Sequence, residues 1–420
     1  MKTEHYGGLG IMRSLGRLGV RMFGIDKTEF SPALQSRYCS HRFVWDLEQR
    51  TTEESLNFLR SVVYRTGPFP ILIPTSDETM MFVANHAQTL KQWFQFTEQP
   101  AELILSLYDK KEMFALAKNY NIPVPRTVFP TSLDDVTEFA RNAVYPLLVK
   151  GIDGKELEKK TGKKMVIVRN TDDLIEQYLL MEDPDHPNVM IQEYIPGGDD
   201  DTWIFNGYFN TRSVPLVSFT GKKLRQNPIY TGMTSLGISE YNESVIELAV
   251  RFMQSVGYKG IVDIDFRYDA RDDTYKILDV NPRVGATFRM FVGRNGMDVV
   301  RAMYLDMTRQ QVYPTVQQEN RKWVVEDKDL LSSYRYFKDG ALSLMEWVKS
   351  INGIDEAGYF SFNDPKPFLY LCRNHIRRRI AKIFPSKKDL PPSAKPSVIT
   401  RPEQVQKASE IPQDIAQENV

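Results

Sequence analysis

Two rhythms of apolar residues alternate along the first hundred positions. Val20-Arg-Met-Phe-Gly-Ile-Asp26 and Ile71-Leu-Ile-Pro-Thr-Ser-Asp77 are short apolar runs that end in acids. Between them, Leu56, Leu59, Val62 and Val63 fall at helical spacing within Glu53–Tyr64. Strand, helix and strand in succession predict a parallel sheet covered by helices over residues 1–105. Gly7-Gly-Leu-Gly10 reads as a glycine turn, a position that ordinarily follows a buried strand, yet the residues before it form no apolar run. The first strand is therefore expected to be missing, or the start to lie elsewhere.

From 106 to 310 the pattern changes. Asp109–Tyr120 is expected to be a helix with Asp109 near its N-terminus, broken by Ile122-Pro-Val-Pro125. Asp134–Ala143 is a second helix. Tyr145–Lys150 and Lys164–Arg169 read as strands flanking a glycine-containing turn, and Val189–Ile195 as a buried strand. In Ser244–Gly257, Val245, Leu248, Ala249, Phe252 and Met253 share one helical face. Gly260–Tyr268 and Thr274–Asn281 form a strand pair across the polar turn Asp269–Asp273. Residues 311–365 are mixed. Residues 366–388 hold eight Lys/Arg and no acid, with Leu369, Cys372, Ile376, Ile380 and Ile383 on one stripe. Beyond Asp389 the Pro-, Ser- and Gln-rich composition predicts a disordered tail.

The strand pair carries the chemistry. Residues two apart in a strand point the same way, so Asp263 and Asp265 share a face, as do Asp279 and Asn281. Antiparallel pairing would bring one acid of the first strand to Asp279 and Asn281. Three such oxygens suit Mg²⁺ (or Mn²⁺), a hard cation that also takes phosphate oxygens and water. Arg283 follows on the same face, where a guanidinium could neutralise a transferring phosphoryl group. A lone Asp-x-Asp is usually only a solvated strand; its coupling to Asp-x-Asn-x-Arg one hairpin away makes a site the better reading.

Asp265, Asp279, Asn281 and Arg283 resemble the metal-ligand and arginine set of the ATP-grasp superfamily. The resemblance implies an α/β protein with an α+β ATP-grasp fold: an N-terminal, Rossmann-like pre-ATP-grasp domain over 1–105, then a two-part ATP-grasp domain over 106–310 with antiparallel sheets and a small lid subdomain at about 125–195. An accessory region at 311–388 with a basic amphipathic helix and the tail 389–420 complete the expected organisation. By the same resemblance, Lys110 and Lys150 are the phosphate lysines, and Gln192, Glu193 and Ile195 the adenine hinge. The ribose acid is one of Asp199, Asp200 and Asp201, and a further phosphate contact is Lys222, Lys223 or Arg225. The loop after Lys150 departs from the family pattern, with fewer glycines and a lysine-rich stretch to Lys164. Gly8–Gly16, Ile73–Glu78 and Thr220–Arg225 with Gly232 are similar to D-aspartate ligase-like carboxylate–amine ligases, a resemblance covering about 7–365. It implies ATP as cosubstrate, Mg²⁺, a carboxylate and an amine as substrates, and amide formation through an acyl phosphate. A carboxylase or phosphotransferase on the same ATP site is the near alternative.

Other signals are weaker. Asp77 and Glu78 lie past the end of a parallel strand, where open α/β sheets place ligands, so a substrate amine is one reading and a helix N-cap with first-turn acids the other. Arg289 is a candidate for a substrate carboxylate, or an exposed helix position. Gly8-x-Gly10-x-x-Arg13 imitates a dinucleotide fingerprint but lacks the third glycine. Formal net charge is zero, which removes any bulk argument for nucleic acid. The five histidines show no paired spacing, and Cys39 and Cys372 carry no metal or disulfide pattern. No apolar run of about 18 residues and no secretory h-region stands out, so a cytoplasmic protein is expected. The stretch 366–388 leaves peripheral membrane contact, and a non-catalytic membrane-associated role, as options. A homodimer is also left open.

Overall fold

Five strands between residues 202 and 281 pair in this computed structural model as one antiparallel ribbon. Met1 and residues 6–383 are described; residues 2–5, the end of the basic stretch and the tail expected beyond 389 lie outside that range. In chain order the strands are β1 (Met22–Asp26), β2 (Cys39–Val44), β3 (Thr127–Val128), β4 (Leu147–Gly151), β5 (Met165–Val168), β6 (Val189–Glu193), β7 (Thr202–Phe209), β8 (Pro215–Asn227), β9 (Met233–Ser239), β10 (Gly260–Asp269), β11 (Thr274–Asn281), β12 (Lys322–Val324) and β13 (Ile354–Ala357). They form three sheets: β1-β2, β3-β6-β4-β5, and β11-β10-β7-β8-β9-β12-β13.

Every residue of β7 is buried. Its alternation explains why: Trp203, Phe205 and Phe209 enter the core beneath helix Glu243–Ser255, while Ile204 and Tyr208 enter the core shared with helices Tyr6–Gly16 and Val299–Met307. The helix of 243–255 buries Val245, Ala249, Phe252 and Met253, the face its spacing predicts. The four-stranded sheet carries its own core of Val136, Leu147, Val149, Leu174 and Ile191.

Two expectations change. Gly7, Gly8 and Gly10 are not a turn but lie inside helix Tyr6–Gly16, which is buried almost throughout. Their smallness serves close packing: a Cβ on Gly10 would stand 2.8 Å from the Phe288 ring and one on Gly7 3.1 Å from the Ala286 backbone. In helix Lys366–Ile383, Phe368 and Leu371 pack on the core, whereas Leu369 is 60% and Ile376 58% exposed. The packed face is offset by one residue from the predicted stripe. Met1–Cys372 form one compact unit; Arg373 onward form a second, whose described part is helical. Among the described residues, no helix is long and apolar enough to cross a membrane.

Candidate active site

The β10–β11 hairpin sets the register on which the site is built. Asp265 stands opposite Asp279, and Asp263 opposite Asn281, so four oxygen-bearing side chains share one face. A bulge follows Asp265 and re-aims the strand. The turn end is pinned by Asp269, which accepts from Lys276 at 2.7 Å and Arg271 at 2.8 Å. Hydrogen bonds from Arg271 and Lys276 hold the Asp269 carboxyl far below the usual range.

Within the cluster, Asn281 Nδ2 donates to Asp279 at 3.2 Å, and Arg283 Nη2 donates to Asn281 Oδ1 at 2.9 Å. Arg283 Nε also reaches Asp77 Oδ1 at 2.5 Å. Burial opposes the Arg283 charge, but Asp77, Asp263 and Asp279 outweigh it and raise its pKa. Lys110, in the first turn of helix Lys110–Asn119, comes within 3.6 Å of Asp279. Lys223, buried in β8, donates to Asp265 at 2.7 Å. Lys150 extends from β4 and donates to Gln192 Oε1 across the β4–β6 pair at 2.8 Å. Burial pushes the Lys150 ammonium down to about 7; Lys110 adds to the effect and Asp279 opposes it.

The expected hinge residues lie at the end of β6 and just beyond it. The Glu193 side chain is held away by Arg126 N at 2.8 Å and Arg271 at 2.9 Å. The Ile195 carbonyl accepts from Arg267 at 3.0 Å, and among the described residues no acceptor takes the Ile195 N–H. Asp199 accepts from Gln226 at 2.8 Å and from Tyr336 Oη. Asp201 accepts from Gly198 N at 2.8 Å, and Asp200 is exposed.

Other candidates stand apart. Arg225 is buried against Asp329, through two bonds of 2.9 and 2.8 Å, and against Ser350 at 2.6 Å. Lys222 pairs with Glu240 at 2.8 Å and lies over the Trp203 ring. Arg289 is buried with Asp298 at 2.5 Å and Glu356 at 2.7 Å, so it is neither exposed nor within the cluster. Asp77 and Glu78 occupy the first turn of helix Asp77–Asn85, with Ser76 as cap. Asp77 turns to Arg283, whereas Glu78 lines a separate recess beside Trp45 and Leu47.

Two members escaped the sequence reading. Asn206 of β7 donates to Asp263 at 3.1 Å, and Asp263 is pushed up to about 7, by burial first and then by Asp265. The available signal was an amide inside the otherwise apolar run Thr202-Trp-Ile-Phe-Asn-Gly-Tyr-Phe209. Gly285 is the second: a Cβ there would stand 2.3 Å from the Asp263 carboxyl carbon. Gly285→Ala is expected to displace Asp263 and cost about 1–3 kcal/mol, read as a lowered thermal midpoint. An unchanged midpoint would show that Asp263 moves freely.

Residues 108–287 match the family described as the ATP-grasp domain. Over these residues the chain is similar to ATP-grasp domains. The match begins just before Lys110 and ends just after Gly285, so it encloses the whole cluster apart from Asp77. The chain is 22% identical over 240 residues to a D-aspartate ligase of Enterococcus faecium, covering 55% of this chain and 57% of that protein. It is 24% identical over 192 residues to the C-terminal section of the carbamoyl phosphate synthase large chain of Methanopyrus kandleri, covering 43% and 33%. The chain thus spans about half, or a third, of these relatives' lengths. The ATP-grasp fold recurs in solved structures. An L-amino acid ligase from Bacillus licheniformis has a TM-score of 0.56 at 14% identity, covering 77% of this chain and 76% of that one. N5-carboxyaminoimidazole ribonucleotide synthetase from Thermus thermophilus has 0.56 at 12%, covering 76% and 80%.

Proposed function

We propose that this chain is an ATP-dependent ligase that activates a carboxylate as an acyl phosphate and passes the acyl group to an amine. The observation that carries the reading is the hairpin cluster Asp265, Asp279, Asn281 and Arg283 meeting Lys110 and Lys223 from separate elements.

The donor set fits Mg²⁺. Among the described residues no group of three or more His, Cys, Asp or Glu is arranged as an all-protein cage. Two facing carboxylates and a carboxamide are instead the partial set that Mg²⁺ uses when phosphates and water complete its shell. Both carboxylates already rest against cations, Lys223 on Asp265 and Lys110 near Asp279, so their negative charge is aimed into the site. Asp265, Asp279 and Asn281 would hold the ion, which supplies charge neutralisation to phosphoryl oxygens when bound.

For ATP, Lys110 and Lys150 would grip phosphates as compact charges and the Ile195 N–H would meet the base. Of the phosphate candidates, Lys223 remains in the cluster while Arg225 is committed to Asp329. Asp200 and Asp201 are the less engaged ribose candidates, because Asp199 is already bonded twice. A substrate carboxylate oxygen then forms a bond to the γ-phosphorus as the bond to ADP breaks, with Arg283 and the lysines facing the developing charge. The amine attacks the acyl carbon, phosphate leaves with the bonding pair, and the amine's proton passes to solvent. The names of the relatives favour amino acids and small diacids as first substrates to try.

The test is an ADP-release screen over amino acids and small diacids, with hydroxylamine as a trap. Substrate-dependent ADP release with hydroxamate formation supports the proposal. Release that needs bicarbonate alone points to a carboxylase on the same site. No release with any carboxylate sinks the ligase reading.

Lys150 adds a pH prediction. Its apo pKa of about 7 lies below the 10.5 of a free lysine, so it is neutral above pH 7. Phosphates favour the ammonium, so ATP binding at pH 8 is expected to take up close to one proton. Calorimetry in buffers of different ionisation enthalpy measures that uptake, and Lys150→Met should abolish it. The same shift makes the unfolded chain bind the extra proton between pH 7 and 10.5, so this group's contribution to stability rises with pH across that window.

A further inference from the structure

Residues 359–365 form a loop that is fastened at several points. Arg13, itself buried, donates to the Tyr359 and Asp364 carbonyls at 2.6 and 3.0 Å and to the Asp364 carboxylate at 3.1 Å. The same carboxylate accepts from Ser36 Oγ at 2.7 Å and from Arg37 N at 2.9 Å. Glu326 takes the N–H groups of Tyr359 and Phe360, at 3.1 and 2.5 Å. A buried ion pair is costly to assemble, and here it holds a few surface residues in one shape.

What the loop displays is apolar. Phe362 is 90% exposed. Its ring meets Phe360 edge-on at 4.9 Å, Phe360 meets Phe368 at 5.6 Å, and Phe368 packs on the core. A row of rings therefore runs from the interior out to solvent. Leu369, in the first turn of helix Lys366–Ile383, is exposed as well. An unfastened loop could fold a phenyl ring back onto the protein; this one keeps it in water.

The surroundings are cationic. Arg17 reaches Ser361 Oγ at 3.4 Å, Arg37 donates to the Asn363 carbonyl at 3.2 Å, and Lys366 opens the helix; all three are exposed. Arg17 also lies 3.8 Å from Glu356. Asp364 is the sole carboxylate in the sequence 361–388, and Arg13 holds it beneath the surface. After Cys372 the sequence adds seven Lys/Arg before the next acid, Asp389. The whole chain has zero net charge, so these cations are segregated in one part of it.

We propose that this face, Phe362 and Leu369 flanked by Arg17, Arg37 and Lys366, docks on an anionic lipid surface. Phe362 enters the acyl boundary while the cations lie at the headgroups. The apolar groups protrude, so they suit a yielding layer rather than a pocket. A second copy of the same face would be repelled by its own charge. Single-stranded nucleic acid also takes a ring and cations, but Leu369 offers it no stacking plane.

The experiment measures sedimentation of the full chain with vesicles of phosphatidylcholine alone and of phosphatidylcholine mixed with phosphatidylglycerol, at low and high salt. Binding is expected only with the anionic lipid, and salt should weaken it. Phe362→Ser keeps every cation and should weaken binding about tenfold or more. Its thermal midpoint should match the parent's, because the side chain is almost wholly in water. Arg37→Gln and Lys366→Gln should each weaken binding about fivefold. In Phe362→Trp, brominated lipid should quench emission beyond the loss seen for the parent. Equal binding by Phe362→Ser and the parent, equal binding to both lipids, or no binding at all would overturn the proposal. So would capture by poly(U) or polyglutamate without capture by anionic vesicles, which would give the face to a different polyanion. None of these readouts depends on ATP turnover, so failure here is separate from failure of the ligase reading.

Discussion

Asp279→Asn is expected to leave the fold intact and reduce substrate-dependent ADP release by about 10³-fold. Asp279 faces Asp265 across the hairpin and lies within 3.6 Å of Lys110, so under the proposed function its charge would serve both the cation and the lysine. It is 39% exposed, and asparagine fills nearly the same volume, so little packing is lost. The change removes the negative charge from a site where positive charge from Lys110, Lys223 and Arg283 is already concentrated. ATP should still bind through Lys110, Lys150 and the hinge, so the loss should appear mainly in turnover. Steady-state ADP release and ATP binding, measured side by side, check this. Full turnover by the variant would remove Asp279 from the chemistry.

How much of this was legible in the sequence depended on the distance between partners. Asp265, Asp279, Asn281 and Arg283 fall within one hairpin, where a period of two and a short polar turn suffice to fix a face. Asn206 lies 57 residues before Asp263, and Asp77 206 residues before Arg283, so no local period could join them. Arginines misled for the same reason. Arg225 and Arg289 look like ligand-binding side chains until Asp329 and Glu356, 104 and 67 residues later, consume them. The glycines near the start were visible, but their meaning was not. A helix that must approach another backbone closely needs glycine as much as a phosphate-binding turn does.

The buried arginines lead to the largest expected loss of stability, at Asp298. Its two oxygens have separate tasks. Oδ1 caps helix Val299–Met307, accepting from Val300 N at 3.0 Å and Arg301 N at 2.9 Å. Oδ2 accepts from Ser14 Oγ at 2.6 Å and Arg289 Nη1 at 2.5 Å. Asp298 is fully buried, and Arg289 and Arg321 also converge on Glu356, at 2.7 and 2.5 Å. Removing Asp298 leaves Glu356 to balance Arg289 and Arg321 where water cannot help. Asp298→Ala should therefore cost about 4 kcal/mol, most of it from the stranded Arg289 charge and about 1 kcal/mol from the cap. Asp298→Asn can keep the cap but not the charge, so it should recover only the smaller part. Adding Arg289→Met to Asp298→Ala should restore stability, because it removes the stranded charge rather than replacing a contact. Urea unfolding of the three variants tests the division. If Asp298→Asn were as stable as the parent, the carboxylate would be holding the helix end and not the arginine.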